Sequence, residues 1–151
     1  MDDYKSELGM VSNVKWGDLE LYYIEIDNTL EEIKKGWPLF ESKFKSLKNR
    51  KMMAITKDEI GIGKVRLCST IIDSENLDDL GFNKMILPAG DYIRVRIKEQ
   101  PPKLYSKVGN GFKQLIEKYK DIINWDQYSV EYYHSYNIID CMVPIDENKQ
   151  A

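Results

Sequence analysis

Twice in 151 residues a strand-forming run passes into an amphipathic helical run and then into two further short strand runs. This repeated order is what most limits the folds open to the chain. In the first copy, Leu19 to Ile26 is rich in aromatic and β-branched residues and stops at Asp27-Asn28, a strand running into a turn. Thr29 and Glu32 stand at capping-box spacing, so a helix starts there. Leu30, Ile33, Trp37, Phe40, Phe44 and Leu47 then recur at steps of three and four, the spacing of one apolar helical face. Pro38 lies inside that face and predicts a kink or a restart at Trp37. Met52 to Thr56 and Val65 to Ile72, separated by a segment containing Gly61-Ile62-Gly63, read as a β-hairpin. In the second copy Asp91 to Lys98 is the strand and Pro101-Pro102 the helix start. Leu104, Val108, Phe112, Leu115, Tyr119 and Ile122 form the second helical face. Strands Tyr128 to His134 and Ile138 to Val143 flank Ser135-Tyr136-Asn137, and Pro144 ends the last of them.

The copies superpose at an offset near 72, which sets Phe40 on Phe112, Phe44 on Ile116 and Leu47 on Tyr119; one extra residue sets Cys68 on Cys141. One helix over one small sheet leaves apolar area uncovered, whereas two such units can share a core. The expected body is therefore a single α+β domain of two βαββ repeats related by a pseudo-twofold axis. It has an antiparallel sheet, two main helices and a central ligand cleft where the repeats meet. Residues 1–18 read as a polar arm or short edge strand, and 19–146 as the domain, with repeats at about 19–72 and 87–146. Residues 147–151 read as a tail.

Composition removes several classes of function. With 22 Lys and Arg against 25 Asp and Glu, the net charge of -3 offers no basic field for a phosphate backbone, so direct nucleic-acid binding is not expected. No apolar run approaches the 18 or so residues of a membrane helix, and Met1-Asp2-Asp3-Tyr4 does not resemble a signal peptide, so a cytoplasmic protein is expected. Cys68 and Cys141 lie far apart and His134 is the sole histidine, which argues against a zinc site or a disulfide scaffold; no metal or cofactor is expected. Gly61-Ile62-Gly63-Lys64 lacks the upstream glycine and following hydroxyl of a phosphate loop.

Strand alternation selects the candidate site. Glu131 and Tyr133 share one face of their strand; Ile138, Asp140 and Met142 share one face of the next, with Ile139, Cys141 and Val143 turned under the helices. If the polar faces line the cleft, Glu131, Tyr133, Asp140 and Met142 converge, joined by Tyr92 and Arg94 from the neighbouring strand and by Trp37 beside Pro38. A partly desolvated carboxylate among rings attracts a cation, and each ring face adds roughly 0.5 to 2 kcal/mol. Desolvation also raises a carboxyl's proton affinity, so Glu131 has the makings of a general acid or base. The plainer readings are a Glu131 that is solvated or salt-bridged, for instance to Arg94; Trp16 and Trp125 as packing residues; and both cysteines as small buried hydrophobes. Gly109 and Gly111 each weaken a helix by roughly 1 kcal/mol unless close packing requires them.

Leu-Pro-Ala-Gly-Asp-Tyr at 87–92, the helix carrying Val108-Gly109 and Phe112, Val130-Glu131-Tyr132-Tyr133, and Asp140-Cys141-Met142-Val143-Pro144-Ile145 occur in an order and spacing that resembles one family. They look like the GyrI-like small-molecule-binding domain, the effector module of AraC- and MerR-type transcription regulators. The resemblance implies a hydrophobic or cationic ligand of drug or metabolite size, held between the repeats against aromatic rings and a buried carboxylate. The family's acid in the closing strand is commonly Glu; here that position is Asp140. With only some 18 residues ahead of the first strand, the chain resembles the stand-alone branch. Some stand-alone members are similar to hydrolases of cyclopropane-containing compounds, which on this chain would place Glu131 or Asp140 as the catalytic acid. A third reading is a protein-interaction role, for instance that of a gyrase-directed inhibitor or the partner of a regulator, in which the cleft is incidental; the chain is expected to be a monomer or a homodimer.

Overall fold

Thr29 starts the first helix: the Glu32 amide donates to its hydroxyl at 3.2 Å. The computed structural model describes residues 2–59 and 61–146; the expected tail at 147–151 lies outside the described residues. In chain order the elements are β1 (Tyr4–Lys5), β2 (Met10–Trp16), β3 (Leu19–Asp27), α1 (Leu30–Ser42), β4 (Met52–Thr56) and β5 (Lys64–Thr70). A 3-10 turn at Asp78–Leu80 precedes β6 (Asn83–Leu87) and β7 (Gly90–Lys98). Then come α2 (Lys103–Ser106), α3 (Val108–Tyr119), β8 (Ser129–Ser135) and β9 (Ile138–Ile145). The fold is α+β, with one nine-stranded antiparallel sheet in the order β1-β2-β7-β9-β8-β4-β5-β3-β6.

The seam between the two repeats is the β4–β8 pair, where Ala54 faces Glu131 and Ile55 faces Val130. On either side the repeats match: β5 and β3 follow β4, as β9 and β7 follow β8. The strand that leads into each repeat is exchanged. β2 precedes β3 but pairs with β7, while β6 precedes β7 but pairs with β3. The segment expected as an arm or short edge strand thus forms β1 and β2. Only Gly17-Asp18 joins β2 to β3, although these strands stand second and eighth in the sheet. So short a link spans about 10 Å, so the sheet must curl until its two sides meet at this crossing. The Ala89 amide ties the crossing together by donating to Asp18 Oδ1 at 2.6 Å.

A curled sheet has two unlike faces. The outer face carries the helices. Phe40 of α1 packs with Tyr22, Phe44, Leu67 and Phe82; Leu115 of α3 packs with Ile93, Val95, Cys141 and Val143. The inner face closes on itself through Leu21, Met53, Ile55, Leu87, Tyr92, Val130 and Met142. A glycine seats each helix. A Cβ at Gly36 would come within 2.8 Å of Leu67 Cδ1, and one at Gly111 within 3.0 Å of both Cys141 Sγ and Ile97 Cδ1. A Cβ at Gly109 would meet nothing within 4 Å, so close packing requires only one of the two α3 glycines.

Several sequence expectations are corrected. Gly36 and Phe40 are the buried pair of α1, Gly111 and Leu115 that of α3, so the helices superpose about one turn beyond the expected offset. Cys68 belongs to the inner face and Cys141 to the outer, so they are not equivalent. α1 runs on through Pro38 without a restart, since only the Lys34 carbonyl loses its amide donor and Gly36 and Phe40 pin the helix on both sides. It stops at Ser42, leaving Phe44 and Leu47 beyond it, although Phe44 still stacks on Phe82 at 4.9 Å. The second helical run divides at Lys107 into α2 and α3. β9 continues past Pro144 to Ile145, because the Pro144 carbonyl is still used, accepting from the Asn124 amide at 2.9 Å.

Candidate functional site

Neither helix lies over the seam. α1 rests on β3 and β5, and α3 on β9 and β7, so β4 and β8 form the floor of a groove between them. Pleating turns Ala54, Glu131 and Tyr133 toward the helices. Ala54, directly across from Glu131, is too small to cover its carboxylate. The Tyr133 hydroxyl donates to Glu131 Oε2 at 2.7 Å. Trp37 meets Tyr133 edge-on, with ring centroids 5.1 Å apart and planes at 86°. Trp37 belongs to the α1 cluster and Tyr133, on the β8 floor, packs with the α3 cluster, so this contact ties the α1 wall to the floor of the groove. Val108 and Phe112 are half-buried on the α3 side, and Tyr105 of α2 stands exposed at the rim.

The electrostatics follow from that placement. Glu131 keeps partial solvent contact yet is crowded by protein on most sides, and this desolvation raises its carboxyl above the ordinary value, the Tyr133 hydrogen bond opposing the rise. The Tyr133 phenol is pushed well above its ordinary value by burial, by the charge of Glu131 and by the bond they share, while the Trp37 indole N–H pulls it back. Burial, with Glu131 and Asp140 adding, likewise raises the Cys141 thiol, which is inert as a nucleophile. Among the described residues no lysine, arginine or histidine nitrogen comes within 4 Å of the Glu131 carboxylate. The plainer reading of Glu131, a salt bridge such as one to Arg94, does not hold.

The other expected residues lie on the inner face. Register pairs Glu131 with Cys141 and Tyr132 with Asp140, so Asp140 and Met142 point away from Glu131 and Tyr133. This corrects the expected convergence: the sheet itself separates the two acids. Asp140, 1% exposed, accepts from Arg96 Nε at 2.8 Å and from its NH2 nitrogen at 3.0 Å, Arg96 standing directly across in β7. Met142 is fully buried, and Tyr92 is 2% exposed with its phenol pushed up to about 12 by burial alone. Arg94 donates to the Ser12 hydroxyl at 2.9 Å. Trp16 fills the space between Tyr92 and Tyr132, at 5.9 and 5.5 Å. Of the seven expected ligand residues, the structure gathers Glu131, Tyr133 and Trp37 in the groove and places Asp140, Met142, Tyr92 and Arg94 behind the sheet.

Tyr105, Ala54 and Arg96 escaped the sequence reading. Arg96 meets Asp140 across β7 and β9, strands far apart in the chain, and Tyr105 reaches the groove only because the second helix breaks before Val108. Trp125, read as packing, is exposed. An open depression of about 460 Å³ at the sheet crossing is lined by Asp18, Leu19, Glu20, Thr70, Ile71 and Ile86. Its Asp18 carboxylate is already taken by the Ala89 amide, and the depression lacks the converging polar and aromatic groups of the groove. Among the described residues no cluster of His, Cys, Asp and Glu could hold a metal ion, and no helix is long and apolar enough to cross a membrane.

No protein-family model matches the chain, and no curated protein matches it. Solved structures do. SAV2435 bound to tetraphenylphosphonium superposes with a TM-score of 0.68 at 14% identity, covering 91% of this chain and 94% of that one. The C-terminal domain of EcmrR gives 0.64 at 13%, covering 90% and 96%. An integron cassette protein from the mobile metagenome of Vibrio cholerae gives 0.64 at 16%, covering 90% and 95%. At such identities the likeness is one of architecture, and on that ground the chain has the fold of the GyrI-like domains.

Proposed function

We propose that this protein binds a lipophilic organic cation in the groove between α1 and α3, as a sensing or sequestering protein. The observation that carries the reading is Glu131: a carboxylate with no basic partner among the described residues, set between aromatic walls. A desolvated carboxylate without a counter-ion is costly, and a delocalised cation supplies the charge without demanding a hydration shell. Tyr133, Trp37 and Tyr105 offer ring faces worth roughly 0.5 to 2 kcal/mol each to such a ligand. The tetraphenylphosphonium bound by SAV2435 is an ion of this class, and the likeness to the EcmrR domain supports an effector-type role.

Calorimetric titration with tetraphenylphosphonium tests the reading. Saturable binding is expected, with Glu131→Gln weakening it about 10- to 100-fold, the range for losing one charge-assisted contact. Affinity unchanged in Glu131→Gln would overturn it. A second reading, hydrolysis of an electrophilic compound, is favoured by the Glu131–Tyr133 hydrogen bond, which couples a carboxyl of raised proton affinity to a phenol. Mass spectrometry of compounds incubated with the protein separates the two: a bound ligand is recovered intact, a substrate with the mass of one added water.

A further inference from the structure

The groove holds an acid but no fixed positive charge, and this has a consequence for what leaves when a ligand enters. Every element packed around Glu131 contributes groups to its surroundings. From β8 comes the Tyr133 hydroxyl, already donating to Oε2; from β4, directly opposite, the methyl of Ala54. From β9 comes the buried Cys141 thiol, whose Sγ lies 3.7 Å from the Val108 carbonyl oxygen. From α1 comes the uncharged indole of Trp37, from α2 the Tyr105 phenol, and from α3 the apolar Val108 and Phe112. Lys107, at the α2–α3 junction, is engaged by Glu99 at 2.8 Å. The Arg96–Asp140 pair lies on the opposite face of the sheet. Nothing of positive charge in that set stabilises an ionised Glu131 in the empty groove, and the neutral carboxyl is the form that such surroundings favour.

We propose that the groove exchanges a proton for its cation: the Glu131 carboxyl is protonated when the groove is empty, and entry of an organic cation expels that proton to solvent. The O–H bond of the carboxyl breaks, its electron pair stays on the carboxylate facing the cation, and the proton passes to water or buffer; no other reactant takes part. The Tyr133 hydroxyl donates to Oε2 in both states, so the aromatic frame need not rearrange. The direction of the Glu131 shift agrees, desolvation being its largest cause. The ligand class is narrowed accordingly. A permanent cation gains a charge partner by expelling the proton, whereas a neutral aromatic of the same shape leaves the carboxyl protonated. This inference rests on cation binding in the groove.

The test is calorimetric titration of the whole chain with tetraphenylphosphonium at several pH values between 4.5 and 8, each in two buffers of different ionisation enthalpy. Below the titration of the free carboxyl the affinity is expected to rise about tenfold per pH unit, with close to one proton released per ligand, and to level off above it with none. Triphenylphosphine oxide, a neutral ligand, is expected to bind with no proton release. Glu131→Gln should abolish both the release and the slope. Carbon-13 NMR titration of the Glu131 carboxyl in the ligand-free protein supplies an independent reading, with its midpoint expected above the ordinary 4.5. Saturable binding with no proton release and a flat pH profile would overturn the exchange while leaving cation binding intact, and so would an ordinary midpoint in the NMR titration. Absence of any tetraphenylphosphonium binding would overturn both.

Discussion

Glu131 and Asp140 stand on neighbouring strands of one hairpin, in the same half of the molecule, and meet opposite conditions. Glu131 faces the helices, holds a single phenol and has no basic partner among the described residues. Asp140 faces the closed side of the sheet, is almost wholly buried, and has both oxygens taken by Arg96. The difference comes from register: Tyr132 opposes Asp140, and Glu131 opposes Cys141. Burial alone therefore does not separate the two acids; Glu131 differs in being crowded without a fixed basic partner among the described residues, on a face that the packing leaves open.

That contrast breaks most sharply at Asp140. Asp140→Asn leaves the Arg96 guanidinium facing a neutral amide, and loss of one member of a buried pair costs about 3 to 5 kcal/mol. The Arg96 side chain is 32% exposed, so solvent recovers part of this and a loss of about 2 to 3 kcal/mol is expected in urea denaturation. Replacing both partners, as Asp140→Leu with Arg96→Met, should restore most of the stability. If Asp140→Asn instead left stability intact and abolished binding of tetraphenylphosphonium, the two acids would have exchanged their assigned roles.

The groove exists because α1 and α3 sit close to the sheet on either side of the seam, and the next largest effect addresses that seating. Gly111→Ala presses a methyl to 3.0 Å from Cys141 Sγ and Ile97 Cδ1, so overpacking of about 1 to 2 kcal/mol should outweigh the gain in helix propensity. Gly109→Ala has open space and should stabilise by up to about 1 kcal/mol. Thermal melts of the two variants should move in opposite directions. Matching shifts would mean that α3 can slide on the sheet, and the wall of the groove with it.

Much of this frame was legible in the chain. The aromatic and β-branched run before Asp27, the Thr29 cap and the repeated element order point to an α+β pair of repeats, because local patterning and global packing agree at those positions. The strand exchange was not legible. β6, with its Asn83 and Lys84, has no clear alternation, and nothing local says that β2 will cross to β7. The candidate site failed in one particular respect. Parity within each strand was read correctly, but the relation between β8 and β9 depends on a hairpin with a register shift between Tyr133 and Ser135, so matching polar face to polar face chose the wrong alignment. The apolar alternate residues of β9 did indicate that Asp140 points away from the helices. The missing step was that Glu131 points toward them.

A smaller effect separates the two roles of Tyr133, as groove wall and as hydrogen-bond donor. Tyr133→Phe keeps the ring against Trp37 and removes only the hydroxyl, so stability should change by about 1 kcal/mol. The Glu131 carboxyl should hold its proton to still higher pH, since the lost bond favoured the ionised form. Carbon-13 titration of that carboxyl in the variant reads this directly, and a midpoint moved downward would show that Tyr133 does not act as the donor.

The smallest expected effect concerns what Glu131 does to folding itself. Its carboxyl is raised in the native state, so below its unfolded value of about 4.5 both states are protonated and the native state carries no penalty. As pH climbs past that point the unfolded chain ionises first. The native chain then binds more protons than the unfolded one, and stability falls until the native carboxyl also ionises, after which the difference is constant. At neutral pH Glu131 is thus a net cost in the empty protein, and Glu131→Gln should be slightly the more stable of the two, the gap closing toward pH 4.5. At neutral pH Asp140→Asn is expected to move stability in the opposite direction, because it leaves an arginine unpaired. Parallel urea titrations of both variants against pH distinguish an acid kept for a ligand from one kept for the fold. A Glu131→Gln variant less stable than the parent at neutral pH would assign Glu131 to the second kind.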